Sequence, residues 1–97
     1  MDKTNFVKIG TIYAADYQNG CAQVEVYYNV HGEQFSVEYS EIGKQKEWID
    51  LNIGVSTARR ILDGIQSDSQ PIIEVLFYMT VDRIGNELSY EYVRLKA

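Results

Sequence analysis

Residues 21–30, CAQVEVYYNV, alternate without a break: Val24, Val26, Tyr28 and Val30 take one parity, and Gln23, Glu25, Tyr27 and Asn29 the other. Successive side chains of an extended chain point to opposite faces, so this pattern predicts a half-buried strand. Residues 34–40 repeat it, with Phe35, Val37 and Tyr39 on one face and Ser36, Glu38 and Ser40 on the other. His31-Gly32 makes the turn between them. Upstream, residues 5–14, NFVKIGTIYA, are rich in β-branched and aromatic types and read as a first strand. A polar stretch from Ala15 to Gln18 and the turn pair Asn19-Gly20 lead into the second. The three runs make an antiparallel meander.

The period changes over residues 44–66. Trp48, Leu51, Ala58, Ile61, Leu62 and Ile65 recur at three- and four-residue spacing, the mark of an amphipathic helix. Gly54 interrupts the pattern and Ser56 is a suitable N-cap, which predicts a short helix over Lys44–Asn52 and a second over Thr57–Gln66. Residues 67–71 form a loop closed by the single proline, Pro71. Residues 72–82, IIEVLFYMTVD, read as a strand, with Ile73, Val75, Phe77, Met79 and Val81 on one face. A turn near Gly85-Asn86 leads to a last strand over residues 87–95, whose parity is ambiguous.

The expected fold is one α+β domain spanning residues 1–97: a mostly antiparallel five-strand sheet, order βββ-α-ββ, with one interrupted helix or two short helices on one face. The expected core is Val24, Val26, Tyr28, Phe35, Val37, Val75, Phe77 and Met79 against Trp48, Leu51, Ile61, Leu62 and Ile65. About twenty helical residues blanket one face only. The opposite face is expected to present Glu25, Tyr27, Glu38, Ser40, Glu74, Tyr78, Thr80 and Asp82, with no basic residue among them.

Composition narrows the function classes. Ninety-seven residues with 45% hydrophobic content suit one globular domain with a real core. Fourteen acids against nine bases give a net charge of −5, a surface that repels phosphates and attracts basic partners, or simply a solubilising one. No basic residue lies between Lys8 and Lys44, or between Arg60 and Arg83. No apolar run approaches membrane-spanning length and the N-terminus lacks a signal-peptide pattern, so the expected location is the cytoplasm. One cysteine, Cys21, and one histidine, His31, rule out a disulfide framework and a cysteine- or histidine-rich metal site.

Catalytic signals are sparse. His31 reads as a surface turn residue, and Cys21, opening a strand, as a small buried apolar one. A Cys21–His31 dyad is arithmetically possible but has no motif behind it. No glycine-rich phosphate loop occurs. The expectation is a protein that is not an enzyme, with no catalytic residues, no metal, no cofactor and no small-molecule substrate. Gly54-Val55-Ser56 followed by Arg59, Arg60, Ile61 and Leu62 looks like the turn and recognition helix of a repressor helix-turn-helix unit, about two residues short in spacing. Beside that stands a capped amphipathic helix with solvated arginines. Eight tyrosines are a high count. Tyr28 and Tyr39 fit the core with their hydroxyls at its rim, whereas Tyr27 and Tyr78 fall among acids, and tyrosine is favoured at interfaces.

A one-domain, acidic, tyrosine-rich α+β chain of this kind resembles the small phage-encoded anti-CRISPR proteins that act as DNA mimics, including those directed at type I-F surveillance complexes. The residues carrying the resemblance are Glu25, Glu33, Glu38, Glu41, Glu74 and Asp82, with Tyr27 and Tyr78 between them. It implies binding to the basic DNA-binding groove of a CRISPR-Cas surveillance complex, with those eight residues as the partner-binding site, no cofactor, and no direct contact with nucleic acid or membrane. Two other classes stand beside it. One is a small helix-turn-helix-like DNA-binding regulator. The other is a protein-interaction module of a larger cytoplasmic complex, or a homodimer formed through the exposed sheet face.

Overall fold

A computed structural model describes residues 5–85 and 88–96. Its elements are β1 (Phe6–Asp16), β2 (Gly20–Asn29), β3 (Gln34–Glu41), β4 (Glu47–Asp50), α1 (Val55–Gln66), α2 (Gln70–Arg83) and β5 (Tyr92–Lys96). The five strands form one sheet in the order β4-β3-β2-β1-β5, each neighbour antiparallel to the next. The fold is α+β, with five antiparallel strands and two helices, as the alternation predicts.

The meander follows directly from the alternation. In β2 and β3, Ala22, Val24, Val26, Tyr28, Phe35, Val37 and Tyr39 are buried while their neighbours are half-exposed, apart from Ser36. Opposite them in β1, Ile12 and Ala14 share the buried face, paired with Val24 and Ala22. A bulge between Lys8 and Gly10 resets the register of β1. The ambiguous last strand is β5, shorter than expected. Val93 pairs with Ala14 and points inward, and Tyr92 and Arg94 take the other parity. The expected turn at Gly85-Asn86 and the start of the expected strand at Glu87 fall partly outside the described residues.

Two elements differ from the sequence reading, so the order is ββββ-αα-β instead of βββ-α-ββ. The segment read as a helix over Lys44–Asn52 holds strand β4. Trp48 and Leu51 are three residues apart, which imitates helical spacing, but Ile49 and Leu51 share the period-two parity that β4 follows. Asn52, with a φ of 52°, sits in the left-handed region and turns the chain after the strand. The segment read as a strand over residues 72–82 is helix α2. Its buried residues are Ile73, Leu76, Phe77, Thr80 and Val81, at helical spacing, while Val75 is 49% exposed. Pro71, read as the end of a loop, lies in the first turn of α2, where a missing N–H costs nothing.

Helix α1 begins two residues earlier than expected, with Gly54 and not Ser56 at the cap. It buries Ala58, Ile61, Gly64 and Ile65. Both helices contribute to one core with the inward parity of the sheet, so they cover a single face. Of the expected core, Val75 is exposed, Met79 and Leu62 are partly buried against the core, and Trp48 belongs to the opposite face of the sheet. Tyr28 and Tyr39 are buried as expected.

Candidate functional site

The uncovered face of the sheet can be written row by row from the strand register. One row runs Asp50, Ser36, Tyr27 and Lys8. The next runs Trp48, Glu38, Glu25, Thr11 and Lys96. A third holds Ser40, Gln23, Tyr13 and Arg94, and a fourth Cys21, Ala15 and Tyr92. Acids therefore lie on β4, β3 and β2 and bases on β1 and β5, with one further base, Lys46, directly ahead of β4 and reaching Glu38.

Three aromatic rings gather at the acidic side. Trp48 meets Phe6 edge-on at 5.5 Å between ring centroids and Tyr27 at 5.1 Å. Under them the Asp50 carboxylate is fixed: its Oδ1 accepts from the Ser36 hydroxyl at 2.5 Å and from the Trp48 indole N–H at 3.0 Å. Ser36 is 1% exposed, so this network satisfies a hydroxyl that the sheet would otherwise bury unpaired.

Glu25 and Glu38 stand directly opposite each other on β2 and β3. Like charges in that arrangement repel, and cations are drawn to them. Lys8 Nζ lies 3.5 Å from Glu25, and Lys46 Nζ 4.0 Å from Glu38. Burial raises the Glu25 pKa, but hydrogen bonding with Glu38 and the Lys8 and Lys46 charges outweigh it and hold the carboxyl below its ordinary value. The Tyr27 hydroxyl, 3.4 Å from Glu25 Oε2, is pushed up by burial and by the two carboxylates.

The other expected site residues lie elsewhere. Glu33, in the β2–β3 turn, forms a two-pronged pair with Arg59 of α1: Nε donates to Oε2 at 2.6 Å and Nη2 to Oε1 at 3.0 Å. Glu41 ends β3 on the inward parity, where it accepts from the Tyr39 hydroxyl at 2.6 Å and meets Lys44 at 2.8 Å. Glu74, Tyr78 and Asp82 belong to α2, on the helix-covered side, and not to the open face. Thr80 is fully buried there, its hydroxyl donating to the Leu76 carbonyl at 2.9 Å. Tyr78 is a structural pin: its hydroxyl donates to the Tyr90 carbonyl at 3.2 Å and accepts from the Tyr90 N–H at 2.9 Å. Of the eight expected partner-binding residues, the fold brings together Glu25, Tyr27 and Glu38.

The open face also carries residues that the sequence reading left out, including the bases Lys8, Arg94 and Lys96. Arg94 lies 4.9 Å over the Tyr92 ring and Lys96 5.6 Å over the Tyr13 ring. The parity of Tyr13 in β1 was a usable signal, whereas Trp48 was hidden by its helix-like spacing to Leu51.

Cys21 is exposed, contrary to expectation, on the rim of a groove of about 290 Å³ lined mainly by Tyr13, Gln23, Ile42 and Tyr92. His31 is exposed in the turn beyond the far end of β2. It lies ten positions along the chain from Cys21, beyond the opposite end of β2 and about 30 Å away, so the two form no dyad. The helix-turn-helix reading loses its first helix to β4, and its Arg59 is held by Glu33. No family model, curated protein or solved structure matches this chain.

Proposed function

We propose that this protein is a non-enzymatic binding protein whose docking surface is the open face of its sheet. The observation that carries the reading is the pairing of Glu25 with Glu38 beside the Phe6–Tyr27–Trp48 cluster, on a face that neither helix covers. Half-buried aromatics supply contact area at low entropic cost, and carboxylates on rigid strands supply orientation. Among the described residues no helix is long and apolar enough to cross a membrane, and no group of three or more His, Cys, Asp or Glu side chains is placed to hold a metal ion.

A second, narrower reading is favoured by the net charge of −5. In it the partner is the basic DNA-binding groove of a CRISPR-Cas surveillance complex in the bacterial cytoplasm, and the chain is an anti-CRISPR inhibitor acting by DNA mimicry. Its carboxylates would then be Glu25, Glu38 and Asp50, a smaller set than the sequence suggests. A type I-F surveillance complex loading target DNA tests it. The chain should block loading, and Glu25→Lys/Glu38→Lys, folded normally, should not. Equal blocking by both would remove the open face from the mimic, and no blocking by the parent would remove the mimic for that complex.

A further inference from the structure

Strand β1 outruns its outer neighbour. It pairs with β2 from Phe6 to Asp16, whereas β5 covers it only from Thr11 to Ala15. Among the described residues no strand lies beside residues 6–9 of β1 on that side. The stretch is as long as β4, which joins the sheet through four register positions. The direction of its backbone groups follows from one side-chain contact. The Val93 carbonyl accepts from the Gln70 amide at 2.7 Å and so faces away from β1, which leaves Tyr92, Arg94 and Lys96 bonded to Ala15, Tyr13 and Thr11. Ile12 and Ala14 then turn their backbone groups to β2, opposite Val24 and Ala22, and Val26 and Tyr28 continue that parity along β2. Tyr28 is the partner of Val7, so Phe6 and Lys8, on either side of Val7, point their N–H and C=O groups outward.

The ends of α2 guard the two outer edges of the sheet. Gln70 opens the helix and takes the Val93 carbonyl at the β5 edge. Arg83 closes it and donates at the β4 edge, through Nη1 to the Asp50 carbonyl at 3.2 Å and through Nη2 to the Leu51 carbonyl. Fourteen residues of helix run about 21 Å and five strands span about 19 Å, so one helix reaches both edges. Unpaired edge groups are a template for another strand, and the template left open is residues 6–9 of β1. We propose that this half-edge is a strand-addition site for an extended segment of a partner protein, antiparallel like every other pair in the sheet, with carboxylates on one side-chain parity and apolar residues on the other. A row of backbone donors and acceptors selects polypeptide over other ligands. Val7, 54% exposed on the inward parity, calls for an apolar neighbour. Lys8, 47% exposed on the open face, calls for a carboxylate, and Lys96 stands on the same face at the end of β5. The acid already there is Glu25, 3.5 Å from Lys8, so bases outnumber acids at this corner among the described residues. A second copy is the poorer occupant, because pairing the same four residues brings a second Lys8 to the same edge. The site adjoins the open face but is built from backbone groups at its rim, and it does not depend on what docks there.

The test is amide NMR of the full chain titrated with an end-blocked heptapeptide that alternates valine and glutamate. The peptide is expected to shift the amides of residues 6–9 saturably and to slow hydrogen exchange at Phe6 and Lys8. In an antiparallel pair the residues opposite Phe6 and Lys8 share their face and exchange hydrogen bonds with them, so those residues are the glutamates. N-methylation of the glutamates should therefore weaken binding at least about tenfold, while N-methylation of the valines leaves it in place. Lys8→Glu should weaken the parent peptide about two- to fivefold and favour a lysine–valine peptide instead. The N-methyl comparison uses the parent chain, so it decides the matter even where Lys8→Glu does not fold. No shift at residues 6–9 up to millimolar peptide, shifts confined to β4 or β5, or equal binding of the two methylated peptides would overturn the proposal. Broadening of the same amides as the chain alone is concentrated would seat a second copy there and overturn it as well.

Discussion

Gly64 of α1 lies against Ile72 of α2 so closely that a Cβ at position 64 would come within 2.6 Å of Ile72 Cγ1. A glycine inside a helix normally costs about 1 kcal/mol relative to alanine. Here its missing side chain lets two helices joined by a three-residue turn pack together. Gly64→Ala is therefore expected to destabilise the fold by roughly 1–3 kcal/mol in urea denaturation, the cost of overpacking, instead of stabilising it. Gly64→Ala/Ile72→Ala, which removes both obstructing γ-carbons, should cost less than the sum of the two single changes. A stabilised Gly64→Ala would show that the helices are not in this contact.

Phe77 and Val75 separate the helical from the extended reading of residues 72–82. On a strand they share a face; on α2 they are about 200° apart. Phe77 is fully buried against Tyr78 and Tyr90, and Val75 is exposed. Phe77→Ala should cost about 3–5 kcal/mol. Val75→Ala should change stability by less than about 0.5 kcal/mol. Comparable losses from the two in two-state denaturation would restore the strand.

That pair also shows where sequence pattern stops being informative. The meander was legible because polar residues alternate with apolar ones through β2 and β3, a pattern no helix produces. In residues 72–82 nearly every position is apolar or β-branched, so both periods fit, and the choice is made by packing against α1 at Gly64 and by Pro71 at the helix start. Trp48 suffered the opposite fault, since three-residue spacing to Leu51 suggested a helix that a four-residue edge strand replaces. Because Glu74, Tyr78 and Asp82 travelled with the misread segment, the candidate site shrank to its β2–β3 half.

The Asp50 carboxylate is expected to hold the aromatic corner together. Asp50→Ala leaves the Ser36 hydroxyl and the Trp48 indole N–H without their shared acceptor. The loss should be about 1–3 kcal/mol, the cost of unsatisfied buried donors. Ser36→Ala/Asp50→Ala, measured by the same denaturation, should be less harmful than the sum of the two single changes. Strict additivity would mean that Ser36 and Asp50 do not interact.

Alkaline pH should weaken the fold through its buried phenols. Burial and the hydrogen bond to Glu41 push the Tyr39 hydroxyl well above its ordinary pKa of 10, and burial raises Tyr90 as well. Both contributions are fully present below pH 10 and are lost as pH rises through the folded values, because the unfolded chain ionises first. Stability should therefore fall with a steep slope above about pH 10, and Tyr39→Phe should flatten that slope. At the acid end Glu25 acts in the opposite sense. Its contribution is present above the ordinary value of 4.5 and is lost as pH drops through the lower folded value. An unchanged alkaline slope in Tyr39→Phe would show that this phenol ionises as freely folded as unfolded.

Trp48 is the only tryptophan, and it stands on the open face between Phe6 and Tyr27. The fluorine resonance of a fluorotryptophan-labelled chain therefore reports on that face alone, even beside a large unlabelled partner. The resonance would be followed as the chain is concentrated and as a surveillance complex is added. The account predicts a saturable shift or broadening in at least one titration, abolished in Glu25→Lys/Glu38→Lys and preserved in His31→Ala, whose turn lies off that face. A resonance unmoved in both, while sedimentation shows the chain bound to itself or to the complex, would place the docking surface elsewhere and contradict the account.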